Sequence, residues 1–151
     1  MDVRQLQVSA IKNGTVIEHI ESKNTFKVAN ILHIEDEHQL VLVGVNLTSG
    51  NLGKKGLIKI EGKNLTQDEA NKIALIAPDA TLNIIKDYEV IEKKKVSLQD
   101  ELIGIVKCFN PNCISNHEKV RTRFYVERKD LPRLRCHYCE RAMEREDIEL
   151  L

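Results

Sequence analysis

The chain predicts an α+β protein in two parts: an alternating strand and helix domain over residues 1–97 and a small all-β module over 98–151. Three observations carry this. Apolar periodicity switches between two and three-to-four residues along the first part. A lysine-rich break, Glu92-Lys93-Lys94-Lys95, closes it. All four cysteines of the chain then fall beyond that break, as Cys108-x4-Cys113-x22-Cys136-x2-Cys139.

Residues 6–20 read as extended, with Leu6, Val8 and Ala10 alternating, Asn13-Gly14 marking a turn, and Val16, Ile17 and Ile20 following. Ser22 to Ile34 suits a helix capped by Ser22 or Asn24, because Val28, Ile31 and Leu32 share one face. The β-branched run from Leu40 to Val45 suits a central strand, and Thr48 to Asn51 is a turn cluster. Leu57-Ile58-Lys59-Ile60 alternates as a further strand. Thr66-Gln67-Asp68-Glu69 has the form of a capping box; Ala70, Ile73, Ala74 and Ala77 follow on one helical face, and Pro78 ends the helix. Thr81 to Ile85 and Tyr88 to Ile91 are two final strands joined at Lys86-Asp87. The order β-α-β-β-α-β with a terminal strand is the split, ferredoxin-like arrangement, an antiparallel sheet with both helices on one face.

In the second part, Ile103–Cys108 and Leu134–Cys136 read as strands that each enter a cysteine knuckle, with a strand from Val120 to Val126 between them. Four thiolates form a closed tetrahedral shell around one zinc ion and leave no position for a substrate, so Cys108, Cys113, Cys136 and Cys139 point to a structural site in a zinc-ribbon-like domain. A disulfide pair, a redox dithiol and an iron site of rubredoxin type share this pattern. A module of about fifty residues buries little core and needs its metal to fold.

Lysine plus arginine equals aspartate plus glutamate at 23 each, and neither part is polarised: 13 basic and 14 acidic residues over 1–100, 10 and 9 over 101–151. This argues against a nucleic-acid partner, although Arg121, Arg123, Arg133 and Arg135 keep a basic zinc-ribbon face as the rival reading. No apolar run suits a membrane span and no signal peptide precedes the first strand, so a cytoplasmic location and no membrane partner are expected. Nucleophile elbows, P-loops and H-E-x-x-H helices are absent from the sequence, so no catalytic residue is assigned. His33 and His38 flank Glu35-Asp36-Glu37 in what reads as a solvated loop. Glu18 and His19 read either as half-buried strand residues or as polar groups of a ligand cleft. Strand-end lysines such as Lys12, Lys59 and Lys93 suit a triphosphate if the sheet brings them together.

The residues also carry a resemblance. Leu6-Gln7-Val8-x-Ala10-Ile11-Lys12-x-Gly14-Thr15-Val16-Ile17-x-His19-Ile20 strongly resembles the start of the regulatory chain of aspartate carbamoyltransferase. So do Asn46-Leu47-x-Ser49-Gly50 with Gly53-x-Lys55-x-Leu57-Ile58-Lys59-Ile60-Glu61, and Ala77-Pro78-x-Ala80-Thr81-x-Asn83-x-Ile85 with Tyr88-Glu89-Val90. The knuckles Cys108-x-Asn110-x-Asn112-Cys113-Ile114-Ser115 and Cys136-x-Tyr138-Cys139-Glu140 complete the match.

The resemblance implies a non-catalytic subunit. Its N-terminal domain would bind CTP or ATP, with UTP in some members, and pair with a second regulatory chain as a homodimer. Its zinc domain would dock on the catalytic chain. Two catalytic trimers and three regulatory dimers would form the holoenzyme, which makes carbamoyl aspartate for pyrimidine synthesis. By the same resemblance Val8, Ala10, Ile11 and Tyr88 would line the base pocket, with Ser9 between them and Lys12 at its end. Glu18 and Lys59 would reach the ribose, and His19 and Lys93, with Lys94 beside it, the phosphates. Asn83, Ile85 and Val90 would complete the wall. Ser9 and Glu18 depart from the familiar bacterial chain, which has an acid at the first position and aspartate at the second. In the docking module Asn110, Asn112, Asn116, Glu118 and Arg128 are the contact candidates.

Overall fold

The computed structural model describes residues 10–48 and 53–151. Two compact units emerge. One holds the described residues up to Leu65 together with Asp79–Lys95; the other holds Thr66–Pro78 and Val96–Leu151.

The first unit is a five-stranded antiparallel sheet. Its strands are β1 (Gly14–Glu21), β2 (Val41–Thr48), β3 (Lys54–Glu61), β4 (Thr81–Lys86) and β5 (Glu89–Lys95), in the order β2-β3-β1-β4-β5. The first four stand in the ferredoxin-like order, and β5 is added at the edge by a hairpin. Asp87 and Tyr88 form its two-residue turn, both with positive φ (51° and 67°), the conformation that matches strand twist. The run Leu40–Val45 contributes to an edge strand rather than a central one. Its residues from Val41 to Val45 are only half-buried, and among the described residues β2 pairs with β3 alone. Between β1 and β2 lies α1 (Thr25–Ile31), shorter than the sequence suggests. A 3-10 turn occupies Ser22–Asn24, neither Asn24 nor Ser22 caps the helix, and His33 turns left-handed (φ 51°) to end it.

Side-chain parity divides the sheet. Ile17, Ile58, Ile60 and Leu82 are buried on one face. Gly56 shares the parity of Ile58, and a Cβ there would fall inside the Thr25 side chain, so α1 approaches β3 as closely as glycine allows. Val16, Leu57, Asn83 and Ile85 have the opposite parity.

The second unit contains α2 (Gln67–Ile76), which lies between β3 and β4 in sequence, and the strands β6 (Glu101–Ile103), β7 (Val106–Lys107), β8 (Arg123–Arg128), β9 (Arg133–Cys136), β10 (Ala142–Met143) and β11 (Glu149–Leu150). The capping box of α2 forms as read: Glu69 N–H donates to Thr66 Oγ1 at 3.1 Å, and Thr66 N–H donates to Glu69 Oε1 at 3.0 Å. A four-stranded sheet runs β10-β9-β8-β6, and β7 pairs with β11. The strand read from Ile103 to Cys108 breaks in two at Gly104, whose φ is 70°. Phe124, Leu102, Leu134 and Met143 are fully buried in this unit.

Candidate functional site

Two sites are built from these elements. The first lies between the knuckles. The end of β9 and the residue after β7 present Cys136 and Cys108, while tight turns bring Cys113 and Cys139 back to them. All four sulfurs lie within 4.8 Å of one another, and three of the four cysteines are buried. Cys108–Cys139 and Cys113–Cys136 Sγ pairs are both 3.7 Å apart. A tetrahedron with metal–sulfur bonds of about 2.3 Å has edges of about 3.8 Å, so the donors already stand at coordination spacing. They are not at disulfide distance, which is about 2.05 Å.

Backbone hydrogen bonds set that spacing. Cys113 N–H donates to Asn110 O at 3.0 Å, and Asn112 N–H to Asn110 Oδ1 at 3.1 Å. Asn116 Nδ2 donates to the carbonyls of Cys108 and Asn110 at 3.0 and 2.8 Å. Asn110 and Asn116 are thus occupied inside the knuckle, whereas Asn112, Glu118 and Arg128 are exposed. In the second knuckle Glu140 N–H donates to Cys136 O, and Glu140 takes the left-handed conformation that closes the turn (φ 62°). Burial pushes the Cys108 and Cys136 thiols up. At Cys139 burial also acts upward, but the backbone amide of Arg141 and the Asn110 side chain outweigh it and bring the thiol down to about 7. Four clustered sulfurs cannot all ionise unless a cation replaces their protons. The donor set therefore fits a structural metal ion, which would be held by all four cysteines.

The second site is a cleft of about 530 Å³ on the sheet of the first unit, lined by Val16, Glu18, Leu57, Lys59, Asn83, Ile85, Val90 and Lys93. Strand parity explains the set. Residues 16 and 18, 57 and 59, and 83 and 85 are i, i+2 pairs on neighbouring strands. Val90 and Lys93 are three apart, yet face the same cleft, because β5 carries an extra residue against β4 at Ile84/Ile85. Asn83 Nδ2 donates to Glu18 Oε1 at 2.9 Å, and Lys93 Nζ reaches the same oxygen at 3.2 Å. Burial acts to raise the Glu18 carboxyl, but the hydrogen bonds from Asn83 and Lys93, with the Lys93 charge, outweigh it and hold it below the ordinary glutamate range. The result is an apolar floor of Val16, Leu57, Ile85 and Val90 under two ammonium groups and one fixed carboxylate.

Six of the residues named from sequence thus meet in the cleft: Glu18, Lys59, Asn83, Ile85, Val90 and Lys93. Ile11 is buried and packs with Val16 and Ile85. Ala10 and Lys12 are exposed beside it, and Lys12 O accepts from Tyr88 N–H at 2.9 Å, so these residues adjoin the hairpin rather than line the cleft. Tyr88 itself is 65% exposed. His19 is not among the lining residues: a bulge in β1 between Ile17 and Ile20 gives it φ 62°, and its Nδ1 lies 3.0 Å from Oγ1 of Thr81, two positions before Asn83 on β4. Lys94 pairs with Glu92 at 3.7 Å. Val8 and Ser9 fall outside the described residues. Val16 and Leu57 were not foreseen, although stepping back two positions from Glu18 and Lys59 would have found them.

Elsewhere three of the four arginines of the rival basic face are matched by acids. Arg123 pairs with Glu101, Arg133 with Glu127 and Glu144, and Arg135 with Glu127. Glu127 is held below the ordinary glutamate range by those hydrogen bonds, that from Arg135 foremost. His33, Glu35 and Asp36 also come close together, but all three are exposed. Among the described residues no helix is long and apolar enough to cross a membrane.

Comparison with known proteins matches the chain in two consecutive segments, the first of which includes α2. Residues 6–97 match the family described as aspartate carbamoyltransferase regulatory chain, allosteric domain, and residues 100–149 match its metal binding domain, which spans all four cysteines. The regulatory chain of Parabacteroides distasonis is 51% identical over 145 residues, covering 96% of this chain and 94% of that one. That of Thermococcus sibiricus is 53% identical over 142 residues, covering 94% of each. That of Methanosphaera stadtmanae is 47% identical over 150 residues, covering 99% of this chain and 98% of that one. The chain belongs to the family of aspartate carbamoyltransferase regulatory chains, which are non-catalytic subunits.

Proposed function

We propose that this chain binds nucleoside triphosphates in the sheet cleft and passes their effect to a catalytic chain docked on the metal-bearing domain. One observation supports this most directly. A single cleft holds two lysines, a carboxylate fixed by Asn83, and an apolar floor. Ammonium groups suit phosphates, a fixed carboxylate suits ribose hydroxyls, and an apolar floor suits a base. CTP and ATP, with UTP beside them, are the effectors, and Lys93 and Lys59 carry the phosphate and ribose contacts. Tyr88, Ala10, Ile11 and Lys12, with Val8 and Ser9, form the base end. His19 joins the phosphates if its bond to Thr81 is exchanged on binding.

The metal is zinc, held by the four thiolates. It organises a docking surface on which exposed Asn112, Glu118 and Arg128 meet the catalytic chain. A second regulatory chain adds at β2, which carries half-buried apolar residues and stands at the edge of the sheet among the described residues. Three such dimers join two catalytic trimers in the cytoplasm, and the assembly forms carbamoyl aspartate for pyrimidine synthesis. An effector shifts that activity only by binding the two quaternary states unequally.

The test mixes this chain with its catalytic partner, with and without zinc, and sizes the product. Activity against CTP, ATP and UTP is then compared with direct nucleotide binding. Association that requires zinc, with nucleotide affinity falling about tenfold in Lys93→Ala, is the expected result. A chain that fails to associate in the presence of zinc sinks the reading.

A further inference from the structure

In sequence α2 stands between β3 and β4, the strands that contribute Leu57, Lys59, Asn83 and Ile85 to the cleft. By packing it belongs to the other unit. Two polar contacts hold it there.

Asn71 is completely buried. A buried amide must find partners for both its oxygen and its nitrogen. Asn71 Nδ2 donates to Gln99 Oε1 at 2.8 Å, and Asn71 Oδ1 accepts from the Gln99 backbone N–H at 3.0 Å. Gln67 Nε2 donates to the same oxygen at 3.4 Å. The exchange with Gln99 is reciprocal, so neither partner can move without leaving the other unsatisfied. Gln99 lies two residues ahead of β6, on the approach to the first knuckle.

At the end of α2, Arg145 Nη2 donates to Ile76 O at 3.0 Å. The last carbonyls of a helix have no partner within it and carry its partial negative charge, so a guanidinium fits them on both counts. Arg145 opens the 3-10 turn that follows β10, six residues past Cys139. Thus α2 is pinned at its middle to the segment before the first knuckle and at its end to the turn after the second.

We propose that α2 is a shared lever, covalently continuous with the cleft strands and latched to the metal-bearing unit by Asn71–Gln99 and Arg145–Ile76. A change of state on either side then biases one common element, which is what coupling between sites requires. The cleft end of this lever rests on the nucleotide reading above; the latch does not.

Hydrogen exchange on the full-length chain tests the latch. Metal-loaded chain is compared with chain stripped by a chelator. The expected result is that amides of residues 67–76 lose protection together with residues 100–150, while β1 and β3 keep theirs. Protection of α2 that survives stripping overturns the latch. In metal-loaded Asn71→Leu and the milder Gln99→Ala and Arg145→Met, α2 should exchange about tenfold faster with metal content unchanged. Unchanged exchange in all three variants overturns it as well.

The same variants assembled with the catalytic chain test the lever. Nucleotide affinity should stay within about twofold of wild type, while the effector-induced change in activity falls by about half or more. A full response in every variant, or affinity and response falling together, overturns it. A wild-type chain that binds no nucleotide defeats the cleft reading, and with it the lever's input, while the exchange measurements still decide the latch.

Discussion

The knuckles and the cleft use the same kinds of groups in opposite ways. In the knuckles, Asn110 and Asn116 spend their side chains on the local backbone, and three of the four cysteines are buried. In the cleft, Glu18, Asn83 and Lys93 also bond to one another, yet Lys93 remains mostly exposed and the apolar floor is open. A closed site contributes its binding energy to folding, whereas an open one keeps it for a ligand. That contrast fits the first to a structural centre and, on the proposed nucleotide reading, the second to a place for exchange.

The largest expected effect breaks the closed site. Removing the metal, or replacing Cys108 with serine, withdraws interactions of order 10 kcal/mol from a unit too small to replace them. We expect cooperative loss of β6 to β11, seen as collapse of their amide dispersion by NMR, while the five-stranded sheet persists. Metal analysis should return one ion per folded chain. A second unit that keeps its fold without metal would falsify the structural role.

Next in size is a test of the sheet beneath the cleft. Gly56→Ala adds a methyl where the Thr25 side chain already stands, and both partners belong to ordered elements. Overpacking of this kind costs roughly 1–3 kcal/mol. Denaturant unfolding should show the loss in the sheet unit, with metal affinity unchanged. Equal losses in both transitions would mean that the two regions do not fold as separate units.

The legibility of the two regions in the sequence differs for a physical reason. Cysteine ligands are few and their spacing is set by turn geometry, so Cys108, Cys113, Cys136 and Cys139 could be named from spacing alone. The cleft is assembled across four strands, and its composition depends on parity and on bulges. The bulge in β1 breaks the alternation at His19 and sets it against Thr81, and the one in β5 brought Val90 and Lys93 onto one face at a spacing that plain alternation forbids. These two bulges leave little trace in a single sequence, because the residues they insert, His19 and Ile91, are neither glycine nor asparagine. The capping box of α2 was readable because Thr66 and Glu69 interact within one turn. The grouping of α2 with the second unit was not, since it rests on Asn71 and Gln99, which are 28 residues apart.

A smaller effect separates the regions by pH. The Glu18 carboxyl is held below its ordinary value, so its folded form binds the proton less readily than the unfolded chain does. Its contribution to stability is complete above the unfolded value near 4.5 and is lost as the pH falls through the lower folded value. The sheet unit should therefore weaken across that acidic window, and Lys93→Ala should flatten the dependence, because one of the groups that depress Glu18 is gone. Monitoring the Glu18 carboxyl by NMR titration checks this; an unchanged midpoint in Lys93→Ala would mean that the remaining neighbours, Asn83 foremost, set it.

The smallest expected effect is also the most discriminating for α2. Thr66→Ala removes the hydroxyl that accepts from Glu69 N–H and leaves one orphan donor at an exposed helix start. Loss of such a cap costs about 1 kcal/mol. The question is which unfolding transition records it. Because Thr66–Pro78 groups with the metal-bearing unit, the loss should appear in the transition of that unit and weaken metal retention slightly, by up to about fivefold at a given chelator concentration. The same substitution measured on metal-stripped chain should have almost no effect, since α2 would already be frayed there. If the cost appears instead in the sheet transition, and persists without metal, then α2 is energetically part of the cleft domain and the division between a closed metal unit and an open cleft unit runs elsewhere in the chain.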